Sequence, residues 1–402
     1  MYRGIGDDMH DRIRPLWAEI DLDILMENMR RIRKLVGDAR IVTVIKADGY
    51  GHGAPEIARH MLEAGAEEIA VAVVTEALQL RACGIKAPIT ILSFTPLDFA
   101  EASIREGFAL ACYSYGYAAE LDRIAGRLGL KARLNIISDT GMGRLGFPVS
   151  DESADEVARI ACLENIEMYS LQSHFASSDS GDKSYAHIQL ERFMSFMKSM
   201  EDKGVSFKYK AMSNSAGVID IPEARFNCVR PGIMQYGYYP SDEVDRTVID
   251  VRPAMSLKSM VVMLKTVPSG TSIGYGSTFT AEKETKVATI PIGYADGYFR
   301  NLSNKGEVLI GGRRCRVLGR VCMDHIMVDA TGCDGVREGD EAVIMGSQGE
   351  DSIWADEIAK KAGTISYEII CAVAKRVPRV YLKGGREVFR TEHLECLPKG
   401  AL

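Results

Sequence analysis

The feature that most constrains the fold of this chain is a regular alternation of strand-like and helix-like segments over roughly its first 230 residues. Short apolar, β-branched runs predict strands, and amphipathic segments between most of them predict helices. In the first predicted helix, Leu25, Met29 and Ile32 recur at spacings of 4 and 3 residues. The pattern predicts nine candidate strands: Trp17–Ile20, Ile41–Ile45, Ile69–Val73, Ile89–Ser93, Ala109–Tyr113, Ala132–Ile137, Glu167–Leu171, Lys208–Met212 and Phe226–Val229.

Repeated β/α units over this length predict an α/β fold with an eight-stranded (β/α)8 TIM-type barrel rather than a short open sheet. Nine strands are one too many for such a barrel. The terminal run, Trp17–Ile20, is the easiest to place elsewhere, for example in a second domain.

The pattern changes after a linker at 237–245, which is rich in turn formers and charge. Short strand-like runs are then separated by Gly, Pro and Asp, and Gly311-Gly312 predicts a hairpin turn. A helix containing residues 354–361 follows. We therefore expect an N-terminal extension at 1–16, a barrel at 17–248 and a mainly β C-terminal domain at 249–402.

Composition excludes several classes of protein. The net charge of -6 argues against a nucleic-acid partner, and no apolar run is long enough for a transmembrane helix. Nine cysteines without CxxC spacing favour a reducing compartment over a disulfide framework or a zinc site. The polar N-terminus lacks the apolar core of a signal peptide. We expect a cytoplasmic protein with no membrane partner and no metal.

A lysine at a strand end is the first candidate for chemistry. In VIKADGYGHG (44–53), the strand stops at Lys46 and a helix begins near Ala54. Such corners lie on the face where α/β barrels place their active sites. A partly desolvated lysine has a lowered pKa and can form a Schiff base. The glycines and Tyr50 would suit a flat cofactor with a phosphate; the alternative is a solvated lysine beside ordinary turn glycines.

This stretch resembles the cofactor-lysine motif of the alanine racemase family, which binds pyridoxal 5′-phosphate (PLP). Eight further stretches match that family in order: SDTGMGRLGF (138–147), QSHFASSD (172–179), SNSAGV (213–218), FNCVRPGI (226–233), GYGSTF (274–279), PIGYADGY (291–298), VCMDH (321–325) and TISYE (364–368). The resemblance covers roughly residues 17–382, and it implies a barrel followed by a β domain.

The resemblance also implies roles for individual residues. Lys46 would bind PLP and act as one acid/base, and Tyr275 of the other subunit would act as the second on the opposite face of the substrate. Racemisation needs one group to remove the α-proton and another to deliver a proton from the other side. The implied cofactor-binding residues are Lys46, Tyr50, His174, Asn214, Ser215, Arg230, Gly232, Ile233 and Tyr367. The implied substrate-binding residues are Arg144, Met323, Asp324 and Tyr294.

Two of these roles have a specific physical basis. Arg230 would face the pyridine nitrogen, and an arginine cannot give up its proton, so the ring nitrogen would stay unprotonated. Arg144 would grip the substrate carboxylate with two hydrogen bonds. His174 would link Tyr275 to Arg230, although a lone histidine at a strand end is also an ordinary structural residue. Ser215 also has a second interpretation, as part of a helix cap.

The chain departs from the family pattern at two positions. Many relatives carry a carbamylated lysine that supports the arginine, where this chain has Ile137. Asn135 lies two residues earlier on the same face of the strand, so Arg144 is steadied by Asn135, by a bound anion or not at all. Ala211 replaces a residue that is often polar in relatives.

The sequence therefore predicts a PLP-dependent racemase, an isomerase, that interconverts L- and D-alanine for peptidoglycan precursors. We expect a homodimer with shared active sites and a small amino acid as substrate. The alternatives are a serine or broad-specificity racemase on the same scaffold, and a PLP-binding carrier protein.

Overall fold

The computed structural model describes residues 14–392. Residues 1–13, which are most of the predicted N-terminal extension, and residues 393–402 lie outside the described part. The described chain divides into two compact units. One contains residues 25–252, and the other combines residues 14–24 with residues 253–392.

The first described elements are strand β1 (Leu16–Asp21) and helix α1 (Leu22–Val36). The strands of the first unit are β2 (Arg40–Val44), β3 (Glu68–Val71), β4 (Ile89–Ile91), β5 (Ala109–Cys112), β6 (Ala132–Asp139), β7 (Phe147–Pro148), β8 (Ile166–Gln172), β9 (Tyr209–Ala211) and β10 (Cys228–Val229). Its further helical segments are α2 (Lys46–Tyr50), α3 (Ala54–Glu63), α4 (Val74–Ala82), α5 (Ala100–Arg105), α6 (Tyr115–Leu128), α7 (Asp151–Ala161), α8 (Ser184–Asp202) and α9 (Ser215–Asp220).

Eight of these strands form a closed parallel barrel. Their order is β2-β3-β4-β5-β6-β8-β9-β10, and β10 pairs with β2 to close the ring. Within the described residues, β7 pairs only with β6. The strands are covered on both faces, as a barrel enclosed by helices requires; Ile69, Ala70 and Val71 of β3, for example, are fully buried. The predicted fold class is confirmed.

The helices follow from local sequence. In α3, Pro55 occupies the first turn, where its missing N–H costs nothing. Ile57, Ala58 and Met61 are buried on one face. The helix then ends before Gly65, whose positive φ of 110° suits a residue without a Cβ. In this way each helix returns the chain to the start of the next barrel strand.

The second unit is mainly β, as predicted. Its elements are β11 (Met255–Met260), β12 (Met263–Val267), β13 (Ser272–Ile273), β14 (Phe279–Thr280), β15 (Thr285–Ile290), β16 (Glu307–Ile310), β17 (Arg313–Arg316), β18 (Ile326–Asp329), β19 (Glu341–Gln348), β20 (Asp351–Ile353), α10 (Ala355–Ala362), α11 (Ser366–Ala372), β21 (Arg379–Lys383) and β22 (Arg386–Thr391). Gly311 and Gly312 form the β16–β17 hairpin turn with φ of 59° and 73°, as expected for a two-residue turn with both central residues left-handed.

β1 belongs to this second unit. It pairs in an antiparallel manner with β11 and in a parallel manner with β21, within the sheet β17-β16-β19-β11-β1-β21-β22. The first of the nine predicted strands is therefore outside the barrel, which explains the surplus strand. No helix in the described part of the chain is long and apolar enough to cross a membrane.

Candidate active site

The predicted residues of the first unit come together at one end of the barrel. Lys46, Arg144, His174, Ser215 and Arg230 each follow the carboxyl end of a different strand, namely β2, β6, β8, β9 and β10. All barrel strands run in parallel, so these ends share one face, where (β/α)8 barrels place their active sites. The fold thus brings together residues that are up to 184 positions apart in the sequence.

The turn after Lys46 has an unusual backbone. Ala47, Asp48 and Tyr50 have positive φ values of 53°, 55° and 53°, and Gly49 between them has 62°. A non-glycine residue in this left-handed region costs roughly 1–2 kcal/mol. The glycine-containing segment after Lys46 is therefore a defined left-handed turn. Such strain concentrates at functional sites, where the surroundings enforce it.

Neighbouring acidic side chains hold this turn in place. Glu76 Oε1 accepts a hydrogen bond of 2.6 Å from the Ala47 N–H. Asp48 Oδ1 accepts one of 2.8 Å from the Ala54 N–H, at the start of α3. Glu76 also accepts from the Ala72 N–H at 2.8 Å, which ties the turn to the end of the next barrel strand. Sequence reasoning missed Glu76, because its role appears only when two adjacent strands are paired.

Tyr50, Ser215 and Gly232 lie close together at this end of the barrel. Ser215 Oγ accepts hydrogen bonds from the N–H groups of Gly232, at 2.9 Å, and Met234, at 3.3 Å. A Cβ added to Gly232 would lie 3.0 Å from Tyr50 Oη and 3.8 Å from Ser215 Oγ. The Tyr50 ring is fixed by stacking on Tyr236 at a centroid distance of 4.8 Å. We call this cluster of Tyr50, Ser215 and Gly232 the Gly232 cradle.

Asn214 and Ile233 lie next to Ser215 and Gly232 in the sequence. Asn214 uses its side chain to cap α9, because Oδ1 accepts from the Gly217 N–H at 2.9 Å and from Ser178 Oγ at 2.9 Å. Ile233 is buried and begins a 3-10 turn, Ile233–Tyr236. Their cofactor contacts remain predictions.

Arg230 places a buried positive charge in the barrel. Its side chain is 7% exposed, and its guanidinium donates to Gln172 Oε1 and to the Ser173 carbonyl oxygen. Burial lowers the pKa of Arg230 to about 10, so the group is still charged at neutral pH. It has no carboxylate partner among residues 14–392.

His174 is held in its neutral form. Burial and the positive charges of Arg230, Arg144 and Lys46 lower the pKa of His174 to about 3. The expected hydrogen bond between His174 and Arg230 is absent among the described residues, because the guanidinium is already turned toward Gln172 and Ser173.

Arg144 lies on a loop that is braced from behind. Asp139 Oδ1 accepts from the N–H groups of Gly141 and Gly143 at 2.9 and 3.0 Å. From α8, Tyr185 Oη donates to the Gly141 carbonyl oxygen at 2.9 Å. The Arg144 side chain itself is exposed and has no hydrogen-bond or ion-pair partner within residues 14–392.

Asn135 does not support Arg144. Its Nδ2 donates to the Ala109 carbonyl oxygen at 3.2 Å, and its Oδ1 accepts from Ser170 Oγ at 2.6 Å. The side chain does face the barrel interior, but it is fully buried and its partners come from the neighbouring strands. The Asn135 alternative for steadying Arg144 is therefore wrong.

The remaining predicted residues belong to the second unit. Tyr275 lies on the connection between β13 and β14, is 69% exposed and makes no hydrogen bond within the described residues. Met323 is 53% exposed, and its carbonyl oxygen accepts from the Ala295 N–H at 3.0 Å. The backbone N–H of Tyr294 donates to the Cys322 carbonyl oxygen of the same segment, at 3.1 Å. Tyr367 lies on α11.

Asp324 is held by an ion-pair cluster. Arg376 Nη2 donates to Asp324 Oδ1 at 2.7 Å, and Arg376 Nε donates to Asp296 Oδ1 at 2.7 Å. Asp296 is fully buried and also accepts from Arg14 Nη2 at 2.6 Å. The cluster anchors one end of the Met323–Asp324 segment to the core of the β unit. No group of three or more His, Cys, Asp or Glu side chains in the described chain could hold a metal ion.

Comparison with known proteins decides the family. Residues 20–240 match the model of the alanine racemase N-terminal domain, and residues 254–381 match that of the C-terminal domain. The chain belongs to the alanine racemase family. It is 46% identical to the alanine racemase of Clostridium perfringens strain SM101 over 94% of this chain and 97% of that protein. It is 43% identical to the alanine racemase of Methanococcus maripaludis over 92% and 99% of the two chains.

Solved structures agree in fold. The alanine racemase of Clostridium difficile 630 superposes with a TM-score of 0.92 at 39% identity, covering 95% of this chain and 99% of that one. The Bacillus anthracis alanine racemase with bound L-Ala-P superposes with a TM-score of 0.90 at 34% identity, over 95% and 99% of the chains. These likenesses confirm the predicted family, fold and racemase class of enzyme.

Proposed function

We propose that this protein uses PLP to interconvert L- and D-alanine, with Lys46 and Tyr275 as the two proton-transferring groups. The family membership supports the reaction, and the alanine racemases among its relatives support the substrate. The observation that carries the proposal is the Gly232 cradle at the barrel end that also bears Lys46.

The residues present fit a phosphorylated cofactor. The position where a Gly232 side chain would stand is bordered by two hydroxyls, Tyr50 Oη and Ser215 Oγ. A phosphate oxygen accepts hydrogen bonds from such groups, and a glycine lets it approach the backbone closely. Lys46 supplies the amine that would bind the carbonyl carbon of PLP. Tyr50, Ser215 and Gly232 would therefore hold the phosphate end, and Lys46 the reactive end.

When bound, PLP supplies an electron-withdrawing ring that stabilises negative charge at the substrate α-carbon. The chain's own residues then have separate tasks. The Lys46 amine would move the α-proton on one face, and the Tyr275 hydroxyl would move a proton on the other. Arg144 has an exposed guanidinium without a protein partner in residues 14–392, so its donors are available for the substrate carboxylate.

Met323 and its neighbours would bind the substrate on the face where Tyr275 acts. The Met323 N–H donates no hydrogen bond within the described residues, so it can serve as a donor to the substrate. Tyr294 and Tyr367 would narrow the entrance and favour a small side chain. Size selection of this kind separates substrates that differ by one methylene only about 10- to 200-fold, so D-serine formation belongs in any assay.

The test is direct. Borohydride reduction of the PLP-loaded protein, followed by peptide mapping, should find the pyridoxyl group on Lys46. Wild-type protein should form D-alanine from L-alanine faster than D-serine from L-serine. The Lys46→Arg variant keeps the charge but should carry no reducible adduct. An adduct on a different lysine, or no racemisation by the PLP-loaded wild type, would refute the proposal.

The proposal includes a homodimer with shared sites. The support is the large exposure of Tyr275, whose hydroxyl has no partner in the described residues of its own chain. Mixing inactive Lys46→Ala and Tyr275→Ala chains, with subunit exchange, should restore activity to about a quarter of wild type, since half the dimers would hold one intact site of two. A mixture that exchanges subunits yet stays inactive would mean that each site draws both groups from one chain.

We also propose a cytoplasmic role in supplying D-alanine for peptidoglycan precursors. No two cysteines of the described residues are joined by a disulfide, which suits a reducing compartment. Expression in a bacterial D-alanine auxotroph should remove the need for added D-alanine. Failure of an expressed, active protein to do so would contradict this role.

A further inference from the structure

A line of buried polar side chains runs through the barrel interior and ends at Arg230. Arg230 Nη1 donates to Gln172 Oε1, and Gln172 Nε2 donates to Ser170 Oγ at 2.9 Å. Ser170 Oγ donates to Asn135 Oδ1 at 2.6 Å, and Asn135 Nδ2 donates to the Ala109 carbonyl oxygen at 3.2 Å. We call Gln172, Ser170 and Asn135 the barrel relay.

The direction of every hydrogen bond in the barrel relay is determined by its two ends. A guanidinium can only donate, so Gln172 must present its carbonyl oxygen to Arg230. The Ala109 carbonyl can only accept, so Asn135 must present its amide nitrogen there. Ser170 then accepts from one amide and donates to the other. Neither amide can rotate by half a turn without leaving buried polar groups unpaired, which is costly in a low-dielectric interior.

This arrangement orients the Arg230 guanidinium. Its two terminal nitrogens are bound to different acceptors, Gln172 Oε1 and the Ser173 carbonyl oxygen. Two such contacts fix the plane of a guanidinium, and the Ser173 contact is to the backbone, so only the Gln172 contact depends on a side-chain rotamer. Gln172 is nearly fully buried, and its second partner is Ser170.

We propose that the barrel relay consists of positioning residues that hold the Arg230 guanidinium in the orientation needed to face the ring nitrogen of the cofactor. The inference rests on the proposed function. It gives Asn135 a role toward the cofactor side of the site rather than toward Arg144. The interior polar residues of β6 and β8 thereby act on the site through Arg230.

The variant Ser170→Ala tests the relay, because it removes one hydroxyl and keeps the volume nearly unchanged. We expect kcat to fall about tenfold, as for other small misplacements of a functional group, while KM for alanine changes less than twofold, because the relay does not touch Arg144. The visible absorption of bound PLP should also shift, since it depends on hydrogen bonding and charge at the ring nitrogen. Ser170→Thr, which keeps a hydroxyl, should restore both properties.

The barrel supplies a matched control. Thr43 Oγ1 donates to Gln235 Oε1 at 2.7 Å, so it is also a fully buried hydroxyl paired with a glutamine, but it has no link to Arg230. Thr43→Val should lower thermal stability by a similar amount, with kcat and the cofactor spectrum unchanged. If Ser170→Ala does not fold, Gln172→Met provides the same test at the residue that contacts Arg230.

The outcomes separate two failures. If wild-type protein carries PLP on Lys46 and racemises alanine, but Ser170→Ala has the kcat and spectrum of Thr43→Val, the relay inference is overturned and the proposed function stands. If the wild type binds no PLP, the proposed function itself fails. An effect of Ser170→Ala that persists unchanged in an Arg230→Lys background would also overturn the relay, because the hydroxyl would then act independently of Arg230.

Discussion

The Ser215 hydroxyl offers the sharpest test of the cofactor site, because its partners are known and a close control exists. In Ser215→Ala, the Gly232 and Met234 N–H groups lose their acceptor, and the cradle loses one of its two hydroxyl donors. Ser215 begins α9 and the capping bond of that helix comes from Asn214, so the helix should survive the change.

The expected magnitude follows from the charge of the phosphate. A hydrogen bond to a charged group contributes about 1.5–3 kcal/mol, and each 1.4 kcal/mol is tenfold in affinity. The loss of one such bond should therefore raise the Kd for PLP about 10- to 100-fold. The N–H groups freed from Ser215 can turn to the phosphate or to water, which places the effect nearer the lower end of this range.

The assay is titration of the apo-protein with PLP, followed by absorbance or by equilibrium dialysis. The control is Ser213→Ala, two residues away, whose buried hydroxyl donates to the Ala224 carbonyl oxygen at 2.7 Å and not to the cradle. It should cost about 1 kcal/mol of stability and leave the Kd for PLP unchanged. A Kd for Ser215→Ala within twofold of wild type, or an equal effect of both variants, would refute the cradle as the phosphate site.

Three further predictions concern Gly141, His174 and Ile137. Gly141→Ala should raise KM for alanine. The new Cβ would lie 2.4 Å from Tyr185 Oη, at a backbone φ of 133°, and would displace the loop that carries Arg144. An unchanged KM in steady-state assays would show that Tyr185 does not brace the loop. The protein should lose stability as the pH falls from 6.5 toward 3, because the unfolded chain protonates its histidine first while His174 keeps a pKa of about 3. At pH 5 the expected loss in the free energy of unfolding is about 1–2 kcal/mol. Denaturant titrations should find that this loss is missing in His174→Asn. If the free energy of unfolding depends on pH equally in both proteins, His174 is not the group responsible. Activity in CO2-depleted and bicarbonate-supplemented buffers should agree, since Ile137 offers no amine for a carbamate, and reversible activation by bicarbonate would point to another lysine.

Local sequence was enough to predict the barrel, and the surplus of one strand already favoured a place for the first run outside it, but the partners of that run could not be predicted. The eight barrel strands are short apolar runs at regular intervals, and closure follows from their number. Nothing within Leu16–Asp21 distinguishes it from those runs. Its partners, β11 and β21, lie more than 230 residues away, and only pairing at that distance decides where it belongs.

The candidate site shows the same division. Strand ends and family motifs pointed to Lys46 and Arg230, and the alternation of side chains along β6 placed Asn135 on the same face of the strand as Ile137. The partner of Asn135 could not be predicted, because it depends on Ser170 of the adjacent strand. The left-handed turn at Ala47 was missed for a related reason. Alanine does not favour that conformation, and the acceptor that stabilises it is Glu76, on another β/α unit.

The electrostatics of the barrel end explain why a bound anion should matter for stability. Arg230 is buried without a carboxylate partner in the described chain, and together with Lys46 and Arg144 it lowers the pKa of His174. Burying a charge without its counter-ion costs several kcal/mol, so the buried Arg230 charge should destabilise the protein without ligand. A ligand that binds only the folded state adds about 2.7 kcal/mol of stability at 100 times its Kd. Thermal unfolding with and without PLP should show this gain in wild type and less of it, at the same PLP concentration, in Ser215→Ala. The control is protein in which borohydride reduction shows PLP on Lys46. If PLP does not change the unfolding temperature of that protein, the positive charges are compensated in another way.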